Sequence, residues 1–287
     1  MSDTETWQSG KGHTDENFPV ASMLVAKRHR PVILAFYRFA RAADDAADHP
    51  TLPADDRRAI LDRLDRTLDG AADAPEAAPL AAQLATHPYA ARHARDLLAA
   101  FRLDVGKARY ATFEELMDYC ALSAMPVGRF LLDVHGEPRA AWPASDALCA
   151  ALQIINHVQD CGRDFRSIDR VYMPSDILAR HGASVEDLGR DRAPPALRAA
   201  LVDVSHRAAG LMDDAARLPG AIADRRLRME TAVIIRLAER ILARLMRHDP
   251  LSERVHLSRP AMLRTAVTAI VLQGLAGRPA AAARRPA

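Results

Sequence analysis

Apolar residues recur along most of this chain at the three- and four-residue spacing that places them on one face of an α-helix. This periodicity predicts helices over about 30–47, 54–73, 92–106, 145–165, 195–217, 224–247 and 260–275, with a short helix and turn over 176–189. No series of alternating positions predicts a set of strands, and no internal repeat divides the chain. The pattern therefore predicts an all-α bundle of about eight to ten helices around one cavity.

Local signals refine some of these boundaries. His49-Pro50 ends the helix that begins near residue 30, because proline cannot continue a helix. Thr112 is a suitable N-cap, and Glu115 three residues later predicts a capping box. Pro126 lies within the helical periodicity that follows, so it predicts a kink midway along that helix. Residues 166–175 are expected to form a loop.

Composition and charge narrow the class of protein. Hydrophobic residues make up 49% of the 287 positions, which is enough for a large core, and the formal net charge of +2 argues against a nucleic-acid partner. Cys120, Cys149 and Cys161 are odd in number and lack the spacing of a metal site or a disulfide framework. The first residues do not form a signal peptide, and no apolar run is long enough to span a membrane. We therefore expect a cytoplasmic protein with one helical domain over 17–275 and disordered segments at 1–16 and 276–287. Contact with a membrane surface stays open.

Two of the predicted helices carry the same kind of polar stripe. The spacing of three and four residues places on one face Tyr37, Arg41, Asp44 and Asp48 in the first helix, and Gln153, Asn156, Asp160 and Asp164 in the second. The other positions of both helices are mostly apolar, which predicts burial, and a buried carboxylate is costly unless it is paired or bound to a metal. If the helices face each other, they direct four or five carboxylates into one cavity.

Such a cavity suits Mg²⁺, which binds through one or two carboxylates together with substrate phosphates and water. The candidate metal ligands are Asp44, Asp45, Asp48, Asp160 and Asp164. The simpler interpretation is a solvated acidic face, although aspartates near the C-terminus of a helix oppose its dipole.

Basic residues near these helices are candidates to bind phosphate groups. They are Arg41, Lys107, Arg109, Arg166 and Arg170. A surface charge is the simpler interpretation for each, and Arg41 and Arg170 are favoured because they lie beside the acidic helices. His157 is better explained as a packed histidine than as a ligand. No Ser-His-Asp arrangement and no glycine-rich nucleotide loop is recognisable.

Taken together, these segments resemble the squalene/phytoene synthase family. The residues that carry the resemblance are Tyr37–Asp48, Arg109–Cys120, Ser123–Arg129, Asn156–Phe165 and Arg170–Pro174, and the similarity extends over about 17–275. It implies an all-α isoprenoid-synthase fold and Mg²⁺-dependent ionisation of a prenyl diphosphate. It also implies catalytic roles for Tyr37, Tyr119, Gln153 and Asn156, and a place for Tyr172 with Arg41, Arg170, Lys107 and Arg109 at the diphosphate.

Some positions resemble one bacterial branch of the family, which acts in the hopanoid route. These are Glu16–Ser22 and the pair Gln159-Asp160. The resemblance implies a reaction in which presqualene diphosphate and water give hydroxysqualene and diphosphate. It further implies contact with the presqualene diphosphate synthase and the amine-oxidase-like reductase of the same route.

Three departures from the common family pattern point in the same direction. Gln159 replaces an arginine, Arg163 replaces a glutamate, and Leu122 replaces a tyrosine that the family associates with joining two farnesyl diphosphates. The last departure puts that condensation in doubt for this chain. The alternatives are a synthase of the same fold that performs the condensation, giving presqualene diphosphate, squalene or phytoene, and a non-catalytic relative that acts in assembly. The second alternative would be expected to lose the aspartates.

Overall fold

The computed structural model describes residues 26–275. The two chain ends, with the resemblance at Glu16–Ser22 and the expected disorder at 1–16 and 276–287, lie outside the described residues. Within 26–275 the α-helices are α1 (Arg30–Ala47), α2 (Ala54–Leu68), α3 (Ala78–Ala81), α4 (Tyr89–Asp104), α5 (Phe113–Ser123), α6 (Met125–Val134), α7 (Trp142–Ile168), α8 (Ser175–Arg180), α9 (Pro195–Ala215), α10 (Leu218–Ala221), α11 (Arg225–Leu245) and α12 (Arg259–Leu275). Three short 3-10 helices accompany them at Lys27–His29, Arg139–Ala141 and Val185–Gly189. This part of the chain has no β-strand, so the all-α prediction is confirmed.

Side-chain caps explain where several helices begin. Thr112 accepts a hydrogen bond from the backbone N–H of Glu115 at 3.2 Å, as the capping box predicts. The carboxylate of Glu115 accepts from the backbone of Ala111 rather than from Thr112. Asp224 caps α11 by accepting from the N–H groups of Arg226 and Leu227.

Pro126 divides the chain into two helices, where the sequence predicted one kinked helix. α5 ends at Ser123, and Pro126 lies in the first turn of α6, where the N–H that proline lacks needs no partner. α2 also ends earlier than predicted, at Leu68. α7 is longer than predicted because it extends through 166–168, which was expected to be loop, and it ends at Asp169 in the left-handed region with φ 51°.

The long helix α7 is the centre of the larger of two apolar clusters, which it forms with α5, α9 and α11. The second cluster joins α1, α2 and α4 with α6, and in it the rings of Phe36 and Phe130 stack with centroids 3.9 Å apart. α1 and α7 thus contribute to different clusters, and a cavity separates them. No helix within 26–275 combines the length and the apolar character needed to cross a bilayer.

Candidate active site

An apolar cavity of about 360 Å³ lies between α1, α6, α7 and α11. One wall runs along α1 from Ile33 to Asp44, and the α7 wall includes Leu148 and Leu152. Tyr37, Arg41 and Asp44 also line this cavity, so the predicted polar stripe of α1 opens onto it. The cavity therefore joins an apolar interior to a charged end formed by the C-terminal part of α1.

The aspartates of α1 are held by arginines. Arg41 donates to Asp44 at 2.9 Å and to Asp45 at 3.2 Å. Asp48 accepts from Arg170 at 2.7 Å, although the two residues are 122 positions apart. Partial burial at the cavity wall, and then the neighbouring charge of Asp48, raise the pKa of Asp44 to about 7, although 38% of the side chain is exposed.

The aspartates of α7 are also paired with an arginine. The guanidinium of Arg163 lies 2.5 Å from Asp160 and 3.5 Å from Asp164. Burial, and then the charge of Asp160, raise the pKa of Asp164 to about 6, and Asp48 on α1 contributes in the same direction. The carboxylates of the two helices therefore act on each other electrostatically.

These carboxylates form pairs rather than a closed cage. In the described part of the chain, no three Asp, Glu, His or Cys side chains are close enough to form a metal-binding group. The donors are nevertheless carboxylate oxygens, which suit Mg²⁺, and Mg²⁺ takes only one or two of them when phosphates supply the other ligands. The donor chemistry thus fits Mg²⁺ that arrives with a diphosphate.

Arg170 links three parts of the site. Besides its bond to Asp48, it donates to the backbone carbonyl of Asp104 at 3.0 Å and to the hydroxyl of Tyr172 at 3.3 Å. The residue is only 7% exposed. Its position is therefore fixed by α1, by the end of α4 and by the loop that follows α7.

Sequence reasoning missed Asp104, which is 7% exposed at the end of α4. It accepts hydrogen bonds from Tyr119 at 2.7 Å and from Tyr172 at 3.3 Å. Burial raises its pKa to about 6, while the charge of Arg170 opposes this shift. The signal that could have revealed it is its position seven residues after Leu97, on the buried face of the helix.

A cluster of aromatic rings lies beside Asp104. The hydroxyls of Tyr119 and Tyr172 are 3.4 Å apart, and the ring of His157 stacks on Tyr172 with centroids 3.5 Å apart. Burial, and then the charge of Arg170, lower the pKa of His157 to about 3, so its ring is neutral at pH 7. Its Nε2 atom and the hydroxyl of Tyr110 are buried and have no hydrogen-bond partner among the described residues.

Three of the basic candidates make other contacts. Lys107 donates to Glu115 at 2.5 Å, Arg109 binds the backbone and the carboxylate of Asp169, and Arg166 lies 3.4 Å from the carbonyl of Leu188. Gln153 and Asn156 are half-buried on α7, two turns and one turn before Asp160. The structure thus brings Arg41 and Arg170 to the aspartates and gives the other three basic side chains different partners.

Comparison with known proteins agrees with this architecture. The sequence profile described as "Squalene/phytoene synthase" matches residues 11–261. The hydroxysqualene synthase of Rhodopseudomonas palustris is 52% identical over 258 residues, which cover 90% of this chain and 88% of the relative. That of Zymomonas mobilis is 51% identical over 251 residues, which cover 86% and 84%.

Solved structures share the fold. The squalene synthase HpnC of Alicyclobacillus acidocaldarius superposes with a TM-score of 0.69 at 34% identity, covering 78% of this chain and 85% of its own. A dehydrosqualene synthase superposes with a TM-score of 0.76 at 20% identity, covering 88% and 89%. At that identity the second likeness is one of fold alone.

Proposed function

Because the chain belongs to the squalene/phytoene synthase family, we propose that it converts presqualene diphosphate and water to hydroxysqualene and inorganic diphosphate, as a carbon–oxygen lyase. The observation that carries the proposal is the 52% identity, over 90% of the chain, with a relative named hydroxysqualene synthase. The geometry supports it, since an apolar cavity has Arg41 and Asp44 in its wall. Leu122 replaces the tyrosine that the family associates with joining two farnesyl diphosphates. This replacement supports a substrate that is already condensed.

In this proposal the diphosphate binds at the charged end of the cavity. Arg41 and Arg170 are its main cationic partners, because both already lie against the aspartates, and Tyr172 holds Arg170 from the other side. Lys107 and Arg109 would join them after leaving their carboxylate partners. Asp44, Asp45, Asp48, Asp160 and Asp164 would hold Mg²⁺. When bound, Mg²⁺ neutralises the charge that develops on the leaving diphosphate.

The hydrocarbon part of the reaction belongs to the apolar cavity. The C–O bond of the substrate breaks, and its electron pair leaves with the diphosphate. The cavity wall excludes bulk water while the cyclopropylcarbinyl cation rearranges. One water then adds to the allylic carbon, and its proton passes to the diphosphate. Tyr37 lines the cavity and, with Gln153, Asn156 and Tyr119, is proposed to orient that water and the leaving group.

The test is product analysis with presqualene diphosphate, Mg²⁺ and water labelled with heavy oxygen. We expect labelled hydroxysqualene, because the oxygen comes from solvent. Unlabelled hydroxysqualene would contradict water capture. Rapid turnover of farnesyl diphosphate alone would indicate the condensing synthase, and squalene formed only with a reduced nicotinamide would indicate hydride capture. No diphosphate release with any prenyl diphosphate would support a non-catalytic role.

The metal assignment has a test of its own. Asp48→Asn and Asp160→Asn keep the side-chain size but remove the charge that holds a cation, so turnover at limiting Mg²⁺ should fall by about 100-fold or more. Circular dichroism should report an unchanged helix content. Wild-type turnover in both variants would contradict a shared metal site formed by α1 and α7.

The substrate is a lipid, so we also propose that the protein works at the surface of a membrane. α12 supports this, because Leu263, Val267 and Val271 on its outer face are 68%, 54% and 54% exposed. Apolar side chains that a helix exposes to solvent can bury themselves at the interface of a bilayer. The same surface would bring the protein near the enzyme that supplies presqualene diphosphate and the amine-oxidase-like reductase that consumes the alcohol.

A further inference from the structure

Arg163 occupies the place between the two aspartates of α7. Its guanidinium is 2.5 Å from Asp160 and 3.5 Å from Asp164. The side chain of Arg163 is 59% exposed, and these two carboxylates are its acidic partners within 26–275. The guanidinium thus offsets part of the negative charge of the pair that is proposed to hold Mg²⁺.

Arg163 is more exposed and less tightly held than the other arginines of the site. Arg170 is 7% exposed and is also held by a backbone carbonyl and a tyrosine hydroxyl, so it cannot leave without losing several bonds. Arg41 is more buried than Arg163, with 25% of its side chain exposed. The two carboxylates are less exposed than Arg163, at 30% and 17%, but the guanidinium itself can return to solvent. Arg163 can therefore leave its aspartates at a lower cost than Arg41 or Arg170.

A cation that binds Asp160 and Asp164 must share their oxygens with this guanidinium or displace it. We propose that Arg163 is an internal counter-cation, which occupies this aspartate pair until a diphosphate arrives and so makes metal uptake by α7 depend on the diphosphate. The diphosphate gives the released guanidinium a new anionic partner in the same site. The inference rests on the proposed metal–diphosphate function and adds an order of binding to it.

The test measures binding of Mn²⁺, a probe with the same preference for carboxylate oxygens, by electron paramagnetic resonance. Without diphosphate, Arg163→Gln should bind Mn²⁺ about three- to tenfold more tightly than wild type, because a competing exposed cation is gone. Inorganic diphosphate should tighten binding in the wild type and shrink the difference between the two proteins. Arg163→Lys keeps the charge and should stay close to wild type.

The matched control is Arg254→Gln. Arg254 is exposed and lines the same surface groove as Asp160 and Arg163, but it forms no ion pair with either aspartate. Equal tightening in Arg254→Gln and Arg163→Gln would overturn the proposal, because the effect would then come from overall charge and not from contact. Equal Mn²⁺ affinity of Arg163→Gln and wild type would also overturn the proposal. If both proteins then bind Mn²⁺ more tightly with diphosphate than without it, the proposed function is unaffected. If no protein binds Mn²⁺ even with diphosphate, both the counter-cation and the metal site are wrong.

Discussion

Asp44 is partly buried and has the like charge of Asp48 beside it, and this combination has a consequence for stability. Its pKa is raised from 3.8 to about 7, so the folded protein holds this proton more tightly than the unfolded chain. The folded state therefore loses stability as the pH rises from about 4 through about 7. Asp44→Asn removes this loss, and we expect its Tm without Mg²⁺ to exceed that of wild type by at least about 2 °C at pH 8 but not at pH 4.

The measurement is a pair of thermal unfolding curves at the two pH values, with the exposed carboxylate Asp118 mutated to asparagine as control. Activity should be lost in Asp44→Asn whatever its stability. A Tm difference that is the same at both pH values would contradict a raised pKa at Asp44.

His157 should produce the opposite pH dependence. Its pKa is lowered to about 3, so the unfolded chain binds this proton more readily, and stability falls as the pH drops below about 6.5. His157→Phe keeps a ring stacked on Tyr172 and removes the titration. We expect wild type to lose about 2–3 kcal/mol more than the variant between pH 7 and pH 4.5, measured by urea unfolding. His206→Phe, at an exposed position, should track wild type, and the same loss in all three proteins would contradict the assignment.

For contacts between individual side chains, the sequence predicts pairs that are close together in the chain but not pairs that are far apart. The contact of Arg41 with Asp44 is predictable, because residues three apart on a helix share a face. The pairing of Arg170 with Asp48 joins residues 122 positions apart, and Asp104 meets Tyr119 only after α4 packs on α5. Arg163 was recognised only as a departure from a family pattern, since the sequence does not say which carboxylates it contacts.

The packing of α6 on α7 depends on a glycine. A Cβ atom at Gly128 would lie 2.6 Å from the sulfur of Cys149 and even closer to the hydroxyl of Ser145, so these side chains or the helices that carry them would have to shift. We expect Gly128→Ala to lower the free energy of unfolding by about 1–3 kcal/mol, as overpacking does. The readout is chemical denaturation, and because Gly128 also lines the cavity, turnover should fall with stability.

The control for this prediction is Gly210→Ala in α9. A Cβ atom there would meet no other heavy atom within 4 Å. Alanine is the better helix former, so this variant should be more stable by roughly 0.5–1 kcal/mol. If both substitutions stabilise the protein, α6 and α7 are not closely packed at Gly128.

The helices themselves were largely predictable, and their ends were less so. Periodicity located α1, α9 and α11 within a few residues, because each buries one continuous apolar stripe. Pro126 was interpreted as a kink, but a proline in the first turn of a helix and one in its middle leave the same periodicity. The extension of α7 to Ile168 was missed because Arg166 and Ser167 are polar and Ile168 does not continue a buried stripe. Only the left-handed Asp169 ends the helix.

For the whole molecule, the sequence predicted an all-α bundle with one cavity but not the walls of that cavity. Two acidic stripes imply that two helices face a common space. The helices α6 and α11 complete the walls of the cavity. Their positions depend on packing between residues far apart in the chain. The family resemblance supplied the fold directly, and the structure adds the pairing of each aspartate with an arginine.

The proposed membrane association depends on the outer surface of α12. Leu263, Val267 and Val271 follow one exposed stripe, and the exposed arginines Arg259 and Arg264 lie on the same helix. Three further arginines, Arg240, Arg244 and Arg247, line a surface pocket beside the start of α12. Exposed apolar side chains with basic neighbours can bind anionic lipid, where each basic residue contributes about 1 kcal/mol near the surface.

We therefore expect the protein to sediment with vesicles of phosphatidylglycerol, less with phosphatidylcholine, and less again at high salt, because salt screens the arginines. The double variant Leu263→Asp with Val271→Asp should lose at least about tenfold in vesicle binding, since two side chains of this size each gain more than 1 kcal/mol on burial. Its Tm should match wild type, because both positions are exposed.

Leu103→Asp, at an exposed apolar position of α4, is the control and should bind vesicles normally. Equal vesicle binding by the double variant and wild type would show that α12 is not the docking surface. A wild-type dimer that the double variant converts to a monomer in gel filtration would show instead that a second copy of the chain covers this face.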